Sequence, residues 1–269
     1  MRRRWLAAPF ILWSAAFIVI PLLLIGYFGL TDENGVFTWS NLTAMAQPDN
    51  IKALGFALLL SVTATLICLV LAYPIALILA ERRTSRGTLI AMLFILPMWM
   101  NFLLRTYAWL NLLDDGGLVY VLMQKMGFKG NIVGTYSAIL LGMVYNYLPF
   151  MVLPLYNAMT KIDDFTLNAA RDLGANERQV NLHVILPLTF PGIVSGITMV
   201  FVPSLTTFVV SDLLGGRKIF LIGNIIEQEF STASNWNLGA GLSFVLMIFI
   251  LVSMAILNHY DTLGEEEEA

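Results

Sequence analysis

Charge is what this chain lacks. Only 12% of its 269 residues are Asp, Glu, Lys or Arg, against roughly a quarter in a soluble globular domain. The mean hydropathy of +0.77 and a hydrophobic share of 58% leave too little polar surface to face water on all sides. Cysteine is nearly absent. The single Cys68 lies in an apolar run, which excludes a disulfide framework and a thiolate metal site. Histidine is almost as scarce: His183 and His259 are far apart and lack metal-ligand spacing. No paired carboxylates and no Ser/His/Asp pattern stand out, so no catalytic residue and no metal ligand is assigned. No Gly-x-x-x-x-Gly-Lys-Ser/Thr segment occurs either, and the nearest run, Gly215-Gly216-Arg217-Lys218, has the wrong spacing. ATP hydrolysis by this chain is therefore not expected, and nothing suggests nucleic-acid binding.

What the chain has in abundance is long apolar runs. Six are long enough to cross a bilayer, which takes about 20 residues. They lie near 6–30, 53–80, 88–112, 134–159, 188–210 and 238–260. Within lipid each is expected to be a helix, because the backbone finds no water to bond. The fold class is therefore all-α integral membrane, with six transmembrane helices in one domain spanning 1–269. The opening Met1-Arg2-Arg3-Arg4 has the look of a secretory signal, but no small-x-small cleavage site follows, so 6–30 is read as a retained first span. The tail Glu265–Glu268 is a like-charge run of the solvated kind.

Cations sort by side. Arg2, Arg3, Arg4, Arg82, Arg83, Arg86, Lys161, Arg171 and Arg178 fall on one face, and Lys52, Lys125, Lys129, Arg217 and Lys218 on the other. The excess places both termini and the loop 161–187 in the cytoplasm. The opposite face carries Asp32, Glu33, Asp49, Asp114, Asp115, Asp212, Glu227 and Glu229. That acidity suits a cationic solute, or simply reflects the missing positive bias.

The segment 161–187 is hydrophilic within an otherwise apolar chain, and it reads as helix, turn, helix. Asp163 or Asp164 can cap a first helix. Phe165, Ala169 and Leu173 share one face of it. Gly174 suits a left-handed C-terminal turn. Asn176 with Gln179 resembles a capping box opening a second helix. Pro187 and Pro191 fall at membrane re-entry, and Gly192 with Gly196 offers a close-packing face on the next span. Pro203 is expected to bend that span.

This segment resembles the cytoplasmic coupling loop of ABC importer permeases, whose pattern is Glu-Ala-Ala, three residues, Gly, nine residues, Ile, one residue, Leu-Pro. Ala169, Ala170, Gly174, Leu186 and Pro187 fall in register, Asn168 replaces the Glu and Val184 the Ile. The resemblance implies a type I ABC importer permease fold. It assigns contact with the ATPase to Asn168, Ala169, Ala170, Arg171, Asp172, Gly174, Leu186 and Pro187. Asn at 168 hydrogen-bonds but cannot supply the charge of the Glu.

Further segments extend the likeness from about Pro97 onward to permease subunits of spermidine/putrescine importers. They are Leu148 to Tyr156, Ala169 to Ala175, Leu186 to Ile193, Val210 to Gly216 and Leu221 to Ile226, with the regions around Pro97-Met98-Trp99 and Arg105-Thr106-Tyr107. The implied partners are a second permease subunit, two copies of a cytoplasmic ATPase that holds ATP and Mg, an external solute-binding protein and membrane lipid. The implied location is the bacterial inner membrane. A polyamine path needs carboxylates, aromatic faces and carbonyls for successive ammonium groups. Asp212, Trp99, Asn101, Tyr107, Tyr145, Asn146 and Phe208 are the candidates. The same aromatics also suit an interfacial belt, and the two Asn suit bonds across helices. Arg105 lies inside the third span. It would repel a polyamine, so it is assigned a structural or gating role, paired with an acid or snorkelling outward. The alternatives are an ABC permease for another small solute and an ion-coupled secondary transporter. The latter would be expected to show internal repeats or buried acidic pairs, and neither is seen.

Overall fold

The computed structural model describes residues 8–81, 96, 98–127 and 130–266. Several expectations lie outside these residues: span positions 6–7, 88–95 and 97, the cations Arg2, Arg3, Arg4, Arg82, Arg83, Arg86 and Lys129, and the last residues of the acidic tail. Among the described residues the secondary structure is helical, apart from one isolated bridge between Thr31 and Phe37. Among the described residues four helices are long and apolar enough to span a membrane, or five when a bent pair counts as one. These are α1 (Pro9–Gly29), α2 (Pro48–Glu81), α5 (Tyr136–Thr160) and α11 (Trp236–Glu266). The bent pair is α7 (Glu177–Leu188) with α8 (Phe190–Thr206). Shorter helices are α3 (Phe102–Leu113), α4 (Leu118–Lys125), α6 (Asp164–Asp172), α9 (Val209–Leu214) and α10 (Ile222–Ser231).

The chain falls into two compact units. The first joins Met1–Leu54 to Ile222–Val252. In it the turn after α1 is fixed by amides. Asn237 Nδ2 donates to the Thr31 carbonyl at 2.7 Å and Asn41 Nδ2 to the same oxygen at 2.8 Å. A Cβ at Gly29 would lie 3.2 Å from the backbone of Gly241, so only small residues let α1 and α11 approach this closely.

The second unit joins Gly55–Leu221 to Ser253–Ala269 and holds the coupling-like loop. Its centre is the packing of α8 along α5. Met143, Met151, Val152 and Leu155 of α5 and Val200 and Leu205 of α8 are fully buried there. Gly192 and Gly196 form the contact: a Cβ at Gly192 would come 2.5 Å from the Ala158 Cβ, and one at Gly196 2.6 Å from the Met151 Sδ. Tyr73 of α2 donates to Asn181 Oδ1 of α7 at 2.7 Å, tying the loop's exit to the bundle.

Two expectations about the spans need correction. The apolar run 88–112 is not one helix, because α3 begins at Phe102 and Asn101 is extended, with ψ 130°. The Asn101 side-chain oxygen accepts from the Leu103 and Leu104 amides at 2.8 and 3.4 Å. It therefore starts a helix instead of sitting inside one. The run 188–210 is interrupted as well. Its marked bend, 65°, falls between α7 and α8 at Thr189 and not at Pro203. Pro187 and Pro191 each remove a donor around Thr189. Pro203 stays within α8, which ends three residues later where Thr207 turns extended.

Candidate functional site: the 161–187 loop and the polar layer of the bundle

The loop is built from local signals. Asp163 caps α6, its Oδ1 accepting from the Phe165 amide at 3.2 Å. Gly174 ends the helix with φ +88°, a conformation that costs an L side chain roughly 1–2 kcal/mol. The Ala175 amide donates to Ala170 O at 3.1 Å and the Gly174 amide to Arg171 O at 2.9 Å. These two bonds close the last turn of α6 in the Schellman manner. Asn176 and Gln179 form the capping box that starts α7: each side-chain oxygen accepts the other's backbone N–H at 2.9 Å.

One member of the loop was missed in the sequence. Arg171 Nε and Nη2 donate to Glu177 Oε1 and Oε2 at 2.9 and 3.1 Å, a two-pronged clasp across the Gly174 turn. These bonds to Arg171 hold the Glu177 carboxyl below its usual range. Opposite charges flanking the Leu173-Gly174-Ala175 turn were the available signal. Asn168 Oδ1 receives only a long 3.5 Å contact from Arg171.

The outward face of α6 is unusual in composition. Phe165 is 81% exposed and Leu173 90%. Asn168, Ala169 and Asp172 are exposed between them, and Ala170 is half-buried. The two large apolar side chains thus flank a floor of small ones at spacings that share one helix face. Behind α6, Leu77, Met159, Leu167 and Ile185 border a void of about 150 Å³. Part of the space under the helix is therefore unfilled. Leu186 is half-buried and Pro187 exposed where the chain bends toward α8.

The proposed solute-path residues sit in different surroundings. Trp99 and Tyr107 are 82% and 48% exposed. Tyr145 is partly exposed and meets Trp109 edge-on at 5.3 Å. Asn101 has spent its oxygen on the cap of α3. Phe208 is 41% exposed beside the break between α8 and α9. Asp212 lies on α9 and pairs with Arg217, its Oδ1 3.5 Å from Nε; the Arg217 side chain is largely in the open and that of Asp212 about half-buried. Asn146 differs from these. It is buried, and its Nδ2 donates to Gly142 O at 2.9 Å and to Thr106 Oγ1 at 3.4 Å. Its Oδ1 has no partner.

Arg105 does not snorkel, and it pairs with no acid among the described residues. It is 6% exposed, its Nε and Nη1 have no hydrogen-bond partner, and no salt bridge to it occurs among the described residues. Position on α3 explains this: Arg105 and Thr106 face inward while Leu104, Tyr107 and Ala108 face out.

Comparison with known proteins places these features in context. The family described as "Binding-protein-dependent transport system inner membrane component" matches residues 72–262. The chain is 38% identical over 257 residues to the spermidine/putrescine transport system permease protein PotB of Haemophilus influenzae, covering 92% of this chain and 89% of that one. It is 39% identical over 245 residues to PotB of Escherichia coli K12, covering 88% and 89%. The inner membrane ABC transporter permease protein YdcU of the same organism is 31% identical over 82% of this chain and 75% of its own. Among solved structures, a chain of a bacterial alginate ABC transporter in complex with alginate pentasaccharide-bound periplasmic protein superposes with TM-score 0.79. The identity there is 16%, over 96% of this chain and 94% of that one. A chain of a bacterial ABC transporter involved in alginate import gives 0.76 and 16%, over 97% and 96%. The chain belongs to the family of binding-protein-dependent transport system inner membrane components, as a multi-pass ABC-importer permease.

Proposed function

We propose that this permease moves polyamines of the spermidine/putrescine class into the cell, driven by ATP hydrolysed on a partner chain. The observation that carries the substrate class is the 38–39% identity to PotB proteins over about nine-tenths of the chain. The acidic outer loops read from the sequence are compatible with it. In this reading the chain pairs with a second permease subunit, two cytoplasmic ATPase copies that bind ATP and Mg, and an external solute-binding protein. Both termini lie in the cytoplasm.

The loop supplies the coupling. An ATPase groove closing on Phe165 and Leu173 would bury two exposed apolar side chains, worth roughly 1.5–3 kcal/mol each when fully covered. Ala169 and Ala170 let the partner's surface approach between them. Asn168, Arg171 and Asp172 give the contact its polar rim, and Gly174, Leu186 and Pro187 set the angle at which α6 meets the span. Because the clasp between Arg171 and Glu177 joins α6 to α7, and Tyr73 joins α7 to α2, a push on α6 is passed to the bundle. Alternating access follows from that linkage. The space behind α6 gives the helix room to shift.

The test is uptake by the complete system in proteoliposomes, offered labelled spermidine, putrescine, basic amino acids and neutral sugars. Polyamine-selective, ATP-dependent uptake is the expected result. Uptake of another solute with polyamines ignored would replace the substrate class and leave the family unchanged. The isolated chain is expected to hydrolyse no ATP, and turnover persisting after rigorous removal of partner chains would overturn the division of labour.

A further inference from the structure

A cavity of about 590 Å³ opens where α5 ends, α6 begins and α8 enters the bundle. Its depth relative to a bilayer follows from α5. That helix runs 25 residues, Tyr136–Thr160, without Asp, Glu, Lys or Arg. At 1.5 Å per residue it is about 38 Å long, enough to cross a hydrocarbon core of about 30 Å. Lys161, the next residue, therefore stands at headgroup level. The first turn of α8 stands at the same level, because Gly192 packs on Ala158 and Pro154. The cavity wall is graded in polarity. Ala158, Leu188 and Pro191 line its apolar part, and Asn157, Ser195, Lys161 and Asp163 its polar part. Asn157 and Ser195 are exposed although each belongs to an apolar helix, within two turns of its end at this level. Lys161 and Asp163 border the same space without pairing with each other. Lys161 takes part in no salt bridge among the described residues, and Asp163 Oδ1 accepts the Phe165 amide instead. A cation and a carboxylate held apart around one cavity match a ligand that carries both signs.

We propose that this cavity is a phospholipid site for a zwitterionic headgroup ending in a primary ammonium, of the phosphatidylethanolamine kind. The phosphate lies against Lys161, a compact charge with three donors. The lipid ammonium donates to the Asp163 carboxylate. Asn157 and Ser195 lie deeper, where their amide and hydroxyl donate to the ester oxygens of the glycerol. One acyl chain leaves over Leu188 and Pro191. Cavities between spans that carry a cation at headgroup level are where lipid headgroups are recognised. A choline headgroup has no N–H to give the carboxylate, and a glycerol headgroup brings no cation to it, so the lining favours neither. A lipid seated here touches α5, α8 and Thr166 of α6 at once, and so braces the start of the loop against the span. The site depends neither on the solute carried nor on the coupling role of the loop.

The experiment uses the complete transporter, purified in detergent, stripped of lipid and titrated with phosphatidylethanolamine, phosphatidylcholine or phosphatidylglycerol. Native mass spectrometry counts the bound lipid and confirms assembly. Wild type is expected to hold phosphatidylethanolamine in preference to the other two. Lys161→Gln should weaken that binding roughly two- to fivefold, the range for one exposed ion pair. Asp163→Asn keeps the cap of α6, because Asn caps as well as Asp, and should erase the preference among the three headgroups. Ser195→Trp fills the cavity and should leave the complex with one tightly held lipid fewer. Glycerophosphoethanolamine, the same headgroup without acyl chains, should compete about tenfold more weakly or worse, the worth of two buried methylenes. An unchanged headgroup preference in Asp163→Asn would overturn the proposal, and this arm decides the matter if Ser195→Trp fails to assemble. So would an assembled Ser195→Trp complex with its full count of lipid, which would leave the cavity to a segment of the second permease subunit. Competition by glycerophosphoethanolamine at the strength of the lipid would overturn it too, by assigning the cavity to a soluble zwitterion.

Discussion

Gly192→Ala and Gly196→Ala make the same chemical change, yet their surroundings predict different outcomes. A methyl at Gly192 would sit 2.5 Å from the Ala158 Cβ and 3.0 Å from the Pro154 carbonyl oxygen. Comfortable carbon–carbon contact needs roughly 3.5–4.0 Å. Neither neighbour can rotate away, since one is a methyl fixed to its helix and the other is backbone. Helix α8 must therefore move off α5 by about an ångström, and overpacking of this kind costs roughly 1–3 kcal/mol. At Gly196 the close atom is the Met151 Sδ at 2.6 Å, and the next is 3.5 Å away. Methionine has three rotatable bonds and adapts. Replacing a helical Gly also returns about 0.5–1 kcal/mol through the unfolded chain. The expected balance is a loss of roughly 1–2 kcal/mol for Gly192→Ala and a change near zero for Gly196→Ala. Thermal unfolding in detergent, followed by retention of native size, measures both. A Gly196 variant as unstable as the Gly192 variant would refute the argument, because it would mean that the α5–α8 contact is not limited by rigid atoms.

The coupling loop offers three further tests. Gly174→Asp puts a side chain at φ +88°, and should keep normal membrane levels while losing ATPase capture and uptake; full uptake would contradict the coupling role. Glu177→Gln should weaken ATPase capture, and the exchange Arg171→Glu with Glu177→Arg should restore part of it, whereas loss of no capture in the first variant would show the clasp to be incidental. The Glu177 carboxyl is depressed below its usual 4.5, so the clasp contributes fully above that value and is lost as pH falls through the lower folded-state value. Capture should accordingly be flat around neutrality and weaken only in acid, and a transition near neutral pH would point to a different group. Asp212→Asn should lower polyamine uptake several-fold if its carboxylate serves the path, while Arg217→Gln, which frees that carboxylate, should act in the opposite sense; unchanged uptake in both would remove Asp212 from the path.

The sequence was most legible where structure is decided by neighbours along the chain. The cap at Asp163, the left-handed Gly174 and the box at Asn176 and Gln179 each depend on a few consecutive residues, and each is present. The Gly192 and Gly196 face was readable for a similar reason, since spacing alone brings both onto one side of a helix. Legibility failed where two signals of the same type competed. Hydropathy averages over a window, so it read 88–112 as continuous and missed that Asn101 starts a helix with its own side chain. Proline was recognised as a breaker, but the bend was assigned to Pro203 when the pair Pro187 and Pro191 outweighs it. Two donors are lost around Thr189 within one turn, whereas Pro203 lies so near the helix end that few bonds remain to break.

Arg105 marks a deeper limit. A lone cation in an apolar run says that something must answer its charge, and the sequence offered a carboxylate or the outer surface as the answer. Neither appears among the described residues: the guanidinium is buried, and its Nε and Nη1 have no hydrogen-bond partner. What buries it is the face of α3 that packs inward, on which Arg105 and Thr106 lie together. Which face of a short helix packs inward is settled by its neighbours in three dimensions, and Asn146 reaching Thr106 from α5 is one of them. A feature set by tertiary packing of this kind leaves no pattern in the spacing of side chains along one run of sequence.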